Sequence, residues 1–231
     1  GVDFVINPYL GCGHGCRYCY AAFMTRYSRH HAGCRWRTFV EVKRNIVDVL
    51  RSELSRKRKT GTVMISSVCD PYQPAERRYG LTRQCIETLS EFGWGIDILT
   101  RSPLITRDVD LLSRLSRVSV GVIIPTDSDR VRTILEPKAP SITERSNALK
   151  MLHNAGIDTW VFVGPMLPMD PQLLYEAIDP YVNNVLIDSL NYRGKVRDIF
   201  MKNNWGYALT DRYAHETAGE LLRLFGRRAE R

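Results

Sequence analysis

Three cysteines crowd into eight residues of the stretch Asn7-Pro8-Tyr9-Leu10-Gly11-Cys12-Gly13-His14-Gly15-Cys16-Arg17-Tyr18-Cys19-Tyr20. Thiolates are soft ligands suited to zinc and to iron–sulfur clusters. A disulfide ladder at this spacing would be strained, and a chain long enough to bury a large core does not need such staples. Two metal chemistries fit. A cubane has four irons, and Cys12, Cys16 and Cys19 can wrap three of them; the open fourth position is the mark of a catalytic metal. A zinc knob would instead recruit Cys34 or His14 as its fourth ligand. Gly11, Gly13 and Gly15 let a short loop curl around a bulky group. The aromatic Tyr20 after the third cysteine, and a strand directly upstream, favour the cluster. The remaining cysteines, Cys34, Cys69 and Cys85, cannot build a second one.

These residues need a frame. A short apolar strand over residues 3–7 runs straight into the cysteine loop. Further strands are predicted over 62–67, 95–100, 118–124, 159–163 and 184–188, from period-2 alternation or continuous β-branched runs. Helical spacing predicts helices over 38–58, 81–92, 108–115, 141–155, 171–181 and 211–226, with Asp108 as an N-cap. A hairpin is a further option within residues 191–206, with Trp205 and Tyr207 as a lid or stacking surface, or as core. Strands alternating with helices, with no run of bare hairpins, imply parallel pairing. The fold class is α/β: an open partial barrel of six βα units with the cluster loop after the first strand. Ligands in such sheets sit at the carboxyl ends of the strands. No linker or repeat divides the chain, so residues 1–231 are expected to form one domain, with 190–231 as a C-terminal segment and helix closing the barrel.

Composition sets outer bounds. The chain has 231 residues, 44% hydrophobic and 25% charged, which excludes disordered, collagen-like and coiled-coil classes. The longest apolar run, residues 118–125, suits a buried strand and is far short of the ~20 residues that cross a bilayer. No charged segment followed by an apolar one marks a secretory signal, so a soluble, cytoplasmic protein is expected. The first residue is Gly, not an initiator Met, which leaves room for upstream sequence. Lys and Arg number 33 against 25 Asp and Glu, a net charge of +8. That balance permits attraction to a polyanion such as nucleic acid, although solvated basic faces at Arg56-Lys57-Arg58-Lys59 and at the carboxyl end account for much of it.

The loop Cys12-x3-Cys16-x2-Cys19, with Tyr18 and Tyr20 beside the last cysteine, resembles the cluster loop of radical S-adenosylmethionine enzymes. The resemblance extends to the branch that includes spore photoproduct lyase. It is carried in order by Asp70-Pro71-Tyr72-Gln73-Pro74-Ala75-Glu76, Leu81-Thr82-Arg83, Thr100-Arg101-Ser102-Pro103-Leu104 and Leu135-Glu136-Pro137-Lys138-Ala139-Pro140-Ser141. What it implies is a [4Fe-4S] cluster on Cys12, Cys16 and Cys19, and S-adenosylmethionine chelating the free iron. One electron from a reductant such as flavodoxin or ferredoxin would then cleave the sulfonium to a 5′-deoxyadenosyl radical that abstracts hydrogen from a substrate.

The same resemblance implies roles at the strand ends. Ser66-Ser67-Val68-Cys69-Asp70 stands where the wider superfamily has Gly-Gly-Glu to hold the methionine amine, so Ser67, backbone carbonyls and Asp70 inherit that task; Asp70 could equally cap the Pro71-Tyr72 turn. Arg101, where relatives usually carry Lys, would pair with the methionine carboxylate, with Ser102 beside it, or else lie on the surface. Thr126 falls near the expected ribose site, and Tyr18 also contacts the cofactor. Glu136 and Arg145 read as an internal ion pair. Spore photoproduct lyase ends its reaction with a cysteine thiol; Ser67 occupies that place here and Cys69 lies two residues on, back on the same face if the strand stays extended. Cys69 is thus a shifted hydrogen donor or a turn residue, and Tyr18 and Tyr20 are a relay or cofactor packing. The substrate is expected to be nucleic acid or nucleotide-like, as in a spore photoproduct lyase-like DNA repair enzyme. The alternatives are a peptide or small metabolite, or a noncatalytic iron–sulfur or nucleic-acid-binding protein.

Overall fold

A computed structural model describes residues 1–31 and 33–231. Nine strands occur among them: β1 (Phe4–Ile6), β2 (Tyr9–Leu10), β3 (Glu41–Val42), β4 (Thr62–Ile65), β5 (Gly95–Thr100), β6 (Val118–Ile123), β7 (Asp158–Val163), β8 (Asn184–Ile187) and β9 (Ala229–Glu230). Seven form one all-parallel sheet in the order β1-β4-β5-β6-β7-β8-β9, the open arrangement of a partial α/β barrel. All six predicted strands are present. Their registers stack Val63 beside Ile96, Ile98 beside Val120, Val122 beside Val161 and Val163 beside Ile187. All eight are buried under the helical layer, the reason these strands read as β-branched runs.

The helices that follow the strands carry their own signals. Leu81–Glu91 buries Leu81, Cys85, Ile86 and Leu89, and the chain leaves it through Gly93 at φ +69°. Ile142–Asn154 starts from a full capping box between Ser141 and Glu144. Asp170 caps Pro171–Ile178, and Thr210 caps Asp211–Phe225. No helix among the described residues is long and apolar enough to cross a membrane.

Four expectations need correction. The helix expected over 38–58 spans only Ile46–Leu54, because residues 41–42 pair as β3 with β2 and close a clasp over the cysteine loop. Asp108 is not a side-chain cap; fully buried, it accepts from the Tyr72 hydroxyl and the guanidinium groups of Arg83 and Arg107. Residues 191–206 are not a hairpin but a short turn and the helix Arg197–Lys202; Trp205 packs in the core on Phe200, while Tyr207 is exposed. Finally, part of the basic carboxyl end is β9, the strand that completes the sheet.

Candidate active site

The loop after β1 is bent by Gly11 and Gly15, at φ +94° and +74°. A Cβ on Gly11 would run into the Phe39 carbonyl, so only glycine fits there. The Gln73 amide fastens the loop, donating to the Gly11 carbonyl (3.0 Å) and accepting from the Gly13 N–H (2.9 Å). On its far side the Arg17 N–H donates to the Leu135 carbonyl (2.8 Å) and the Lys138 N–H to that of His14 (3.2 Å). The result is that Cys12, Cys16 and Cys19 line one cavity of about 390 Å³. Its wall includes Met64, Leu99, Ile123 and Phe162 from the carboxyl halves of β4, β5, β6 and β7. The cavity lies where a parallel sheet places its ligands.

The three thiols can hold a cluster. They share a cavity, yet among the described residues no three His, Cys, Asp or Glu side chains converge as a single ion would require. Three thiols around one cavity fit a cubane, in which each thiolate meets a different iron. Cys34 is exposed and Cys85 is buried in a helix, both away from the cavity. Two sulfurs already accept hydrogen bonds: Cys16 from Arg101 Nη1 (2.8 Å) and Cys19 from Trp36 Nε1 (3.3 Å). Such donors to sulfur are a lever on cluster potential. Burial pushes the Cys12 thiol well up, and Cys16 up to about 12 against the pull of Arg101, so metal loading must release protons.

Beyond β4 the backbone leaves the extended region at once. Ser66 is buried at φ +69°, a left-handed conformation costly for a residue with a Cβ. Face alternation therefore stops at Ile65 and cannot be what orients Cys69. The turn itself brings Cys69 to the cavity wall, its thiol donating to the Ser66 hydroxyl and the Tyr9 carbonyl, both at 3.4 Å. Burial raises this thiol to about 11, which keeps it protonated near neutral pH. Tyr20 and Ser67 line the same cavity, and the Tyr20 hydroxyl donates to the Ser67 carbonyl.

Asp70 does cap the turn, accepting from the Tyr72 N–H (2.9 Å), and it also takes the Thr100 hydroxyl (2.6 Å) and the Arg101 N–H (2.9 Å). His14, buried within the cysteine loop, has Nε2 3.3 Å from Asp70 Oδ2 but too poorly aligned for a hydrogen bond. Burial alone would raise the Asp70 carboxyl; His14 and these donors hold it well below the usual carboxylate range. Arg101 is not a surface residue. Its Nη1 serves Glu136, Cys16 and the Tyr18 hydroxyl together, while Nη2 has no hydrogen-bond partner among the described residues and Arg101 lines the cavity.

The expected pair of Glu136 and Arg145 is present and fully buried, but Glu136 does more. One oxygen takes Arg145; the other takes Arg101 and the Tyr18 hydroxyl, tying the turn after the helix Asp129–Leu135 to the cysteine loop. Burial works against Glu136, yet Arg101 and Arg145 hold its carboxyl down at about 2. Two expected site residues are not at the cavity. The Thr126 hydroxyl is fully buried, donates to the Pro168 carbonyl (2.6 Å) and accepts from the Ser128 N–H, which holds it inside the turn and off the cavity wall. Ser102 accepts from the Leu104 N–H as the cap of Pro103–Asp108. Gln73, Trp36 and the reach of Glu136 escaped sequence reasoning. Gln73 and Glu136 stand inside the quoted segments, but their partners lie 60 or more residues away for most of these bonds.

A family profile described as the radical SAM superfamily matches residues 6–176. An uncharacterized protein of Methanocaldococcus jannaschii is 33% identical over 195 residues, covering 84% of this chain and 72% of that protein. An uncharacterized protein of Mycobacterium tuberculosis is 33% identical over 210 residues, covering 86% of this chain and 62% of its own length, so the chain spans under two thirds of that relative. Among solved structures, a spore photoproduct lyase variant with bound AdoMet and dinucleoside spore photoproduct aligns at TM-score 0.66 and 14% identity, covering 97% of this chain and 74% of the other. Streptococcus suis SuiB bound to S-adenosylmethionine aligns at TM-score 0.58 and 14% identity, covering 87% and 48%. These two likenesses are likenesses of fold.

Proposed function

Because the chain belongs to the radical S-adenosylmethionine superfamily, whose enzymes use a [4Fe-4S] cluster and S-adenosylmethionine, we propose that it abstracts hydrogen from a nucleic acid or nucleotide-like substrate and ends the reaction with the Cys69 thiol. When bound, the cluster and cofactor supply a 5′-deoxyadenosyl radical. The residues of this chain do the rest. Cys12, Cys16 and Cys19 hold three irons. Arg101 offers its unpaired Nη2 to the methionine carboxylate, a charge-assisted contact. Asp70, ionised over the whole neutral range, together with the carbonyls of the turn at Ser66 and Ser67, receives the methionine ammonium. Met64, Leu99, Ile123 and Phe162 keep the pocket dry, which protects a radical from quenching.

The observation that carries this reading is the convergence of three cluster-type thiols and a fourth, protonated thiol on one cavity. Cys69 is suited to donate hydrogen because its S–H bond is weak and Tyr20, its phenol raised chiefly by burial, stands in the same wall. The net charge of +8 supports a polyanionic substrate. The test is anaerobic turnover of the reconstituted protein with deuterium-labelled, UV-irradiated oligodeoxynucleotide. Deuterium in the recovered 5′-deoxyadenosine is expected; transfer only from peptides or small metabolites would replace the substrate class.

A further inference from the structure

Behind the cysteine loop, on the side away from the cavity, lies a second hollow of about 460 Å³. Arg17, Arg35, Arg37, Lys138 and Lys195 line it with Trp36, and no carboxylate does. None of the five cations forms an ion pair among the described residues. Burial and then the neighbouring Arg35 and Arg17 lower the pKa of Arg37, the electrostatic signature of positive charge left uncompensated. Two of the cations reach the loop backbone: Lys195 Nζ donates to the Cys19 carbonyl (2.9 Å) and Arg37 Nη1 to that of Gly15 (3.4 Å).

The hollow and the cavity share no lining residue, but one side chain spans the wall between them. Trp36 borders the hollow, and its indole N–H donates to the Cys19 sulfur that lines the cavity. We propose that the hollow is the docking surface for an acidic one-electron carrier protein, a reduced flavin or iron–sulfur protein, and that its electron enters through Trp36 and Cys19. This rests on the cluster reading above. The balance is simple: the carrier is oxidised by one electron, the cluster is reduced by one, and no bond or proton changes hands. A carrier must approach from outside, since the cavity is taken by cofactor and substrate. A nucleic acid strand fits the hollow less well. Sequence-tolerant strand binding uses exposed aromatic rings, whereas Trp36 is buried edge-on against Phe39, with ring centroids 6.0 Å apart at 89°. Five unpaired cations around a small hollow instead suit a carboxylate-rich protein face, where complementary charge raises the encounter rate.

The test uses the reconstituted holoprotein and its Arg35→Glu/Lys138→Glu variant, neither residue being in the cavity. Stopped-flow bleaching of the cluster by flavodoxin hydroquinone, and separately by reduced ferredoxin, should slow about tenfold in the variant at low salt, with the difference fading at high salt. Dithionite, a small reductant, should yield 5′-deoxyadenosine equally from both. Trp36→Phe, which removes the N–H on sulfur, should lower the cluster midpoint potential. Equal rates with the carriers, or a failure of both carriers to reduce the wild type, would overturn the inference. So would a variant that loses retention on single-stranded DNA while keeping its carrier rates, which would make the hollow a nucleic acid surface. A wild type that forms cluster but no 5′-deoxyadenosine with dithionite would remove the underlying reading itself.

Discussion

Replacing Glu136 with Gln changes one atom and removes one charge. In the native site its two oxygens answer two guanidinium groups and a phenol. The substituted amide would keep one acceptor and present its own N–H to a guanidinium that also donates. Arg145 is the main casualty: it is fully buried, and its other partners are the Pro140 and Ile123 carbonyls, with no second carboxylate among the described residues. Arg101 retains Asp70 at 3.9 Å. Breaking one side of a buried pair costs about 3–5 kcal/mol. Linkage gives a similar figure. The carboxyl falls from its ordinary 4.5 to about 2, and at ~1.36 kcal/mol per unit that depression contributes about 3 kcal/mol. A depressed carboxyl stabilises above its unfolded pKa, and the contribution is lost as pH falls from about 4.5 towards 2. Urea unfolding of the reduced, metal-free protein, followed by circular dichroism, should show the midpoint of Glu136→Gln about 1 M or more lower at pH 7, if m is near ~3 kcal/mol/M. The acid loss between pH 4.5 and about 2 should shrink in the variant. A shift below about 1 kcal/mol with the acid limb intact would show that Glu136 does not carry these two arginines.

Cys12→Ala, Cys16→Ala and Cys19→Ala should each abolish the reconstituted [4Fe-4S] absorption and EPR signal, whereas Cys34→Ala and Cys85→Ala should leave them; loss with Cys34→Ala would make it a ligand. Arg101→Ala should weaken S-adenosylmethionine binding by about 1–3 kcal/mol in equilibrium titration, and unchanged affinity would confine Arg101 to the Glu136 network. Cys69→Ala should still form 5′-deoxyadenosine and still take deuterium from substrate, but the product radical would be quenched elsewhere, seen by mass spectrometry as altered products; clean, coupled product would exclude Cys69 as donor.

The sheet was legible because parallel strands with one face buried under helices and the other half-buried around the cavity read as β-branched runs between helices. The strand β9 was not, since two residues of a basic tail carry no such pattern and join the sheet only through β8. The cysteine loop was legible because its chemistry is local. What escaped was the support: Gln73 on the loop, Glu136 on Tyr18 and Arg101, and Trp36 on Cys19 sulfur are contacts between distant segments. Thr126 and Ser102 show the opposite failure. Both sit at strand ends where ligands gather, yet each hydroxyl is used by a nearby backbone group, and position along a strand does not reveal that. Cys69 arrived at the cavity for a reason alternation does not supply, the left-handed turn at Ser66.

The central claim is that three thiols hold a cluster whose fourth iron serves S-adenosylmethionine. It is tested most directly by reconstituting the protein anaerobically, reducing it with dithionite in the presence of S-adenosylmethionine, and measuring 5′-deoxyadenosine. The native protein and Cys34→Ala should form 5′-deoxyadenosine and methionine in equal amounts, and Cys12→Ala, Cys16→Ala and Cys19→Ala should form neither. A fully loaded, reducible cluster that binds S-adenosylmethionine and yields no 5′-deoxyadenosine would contradict the claim.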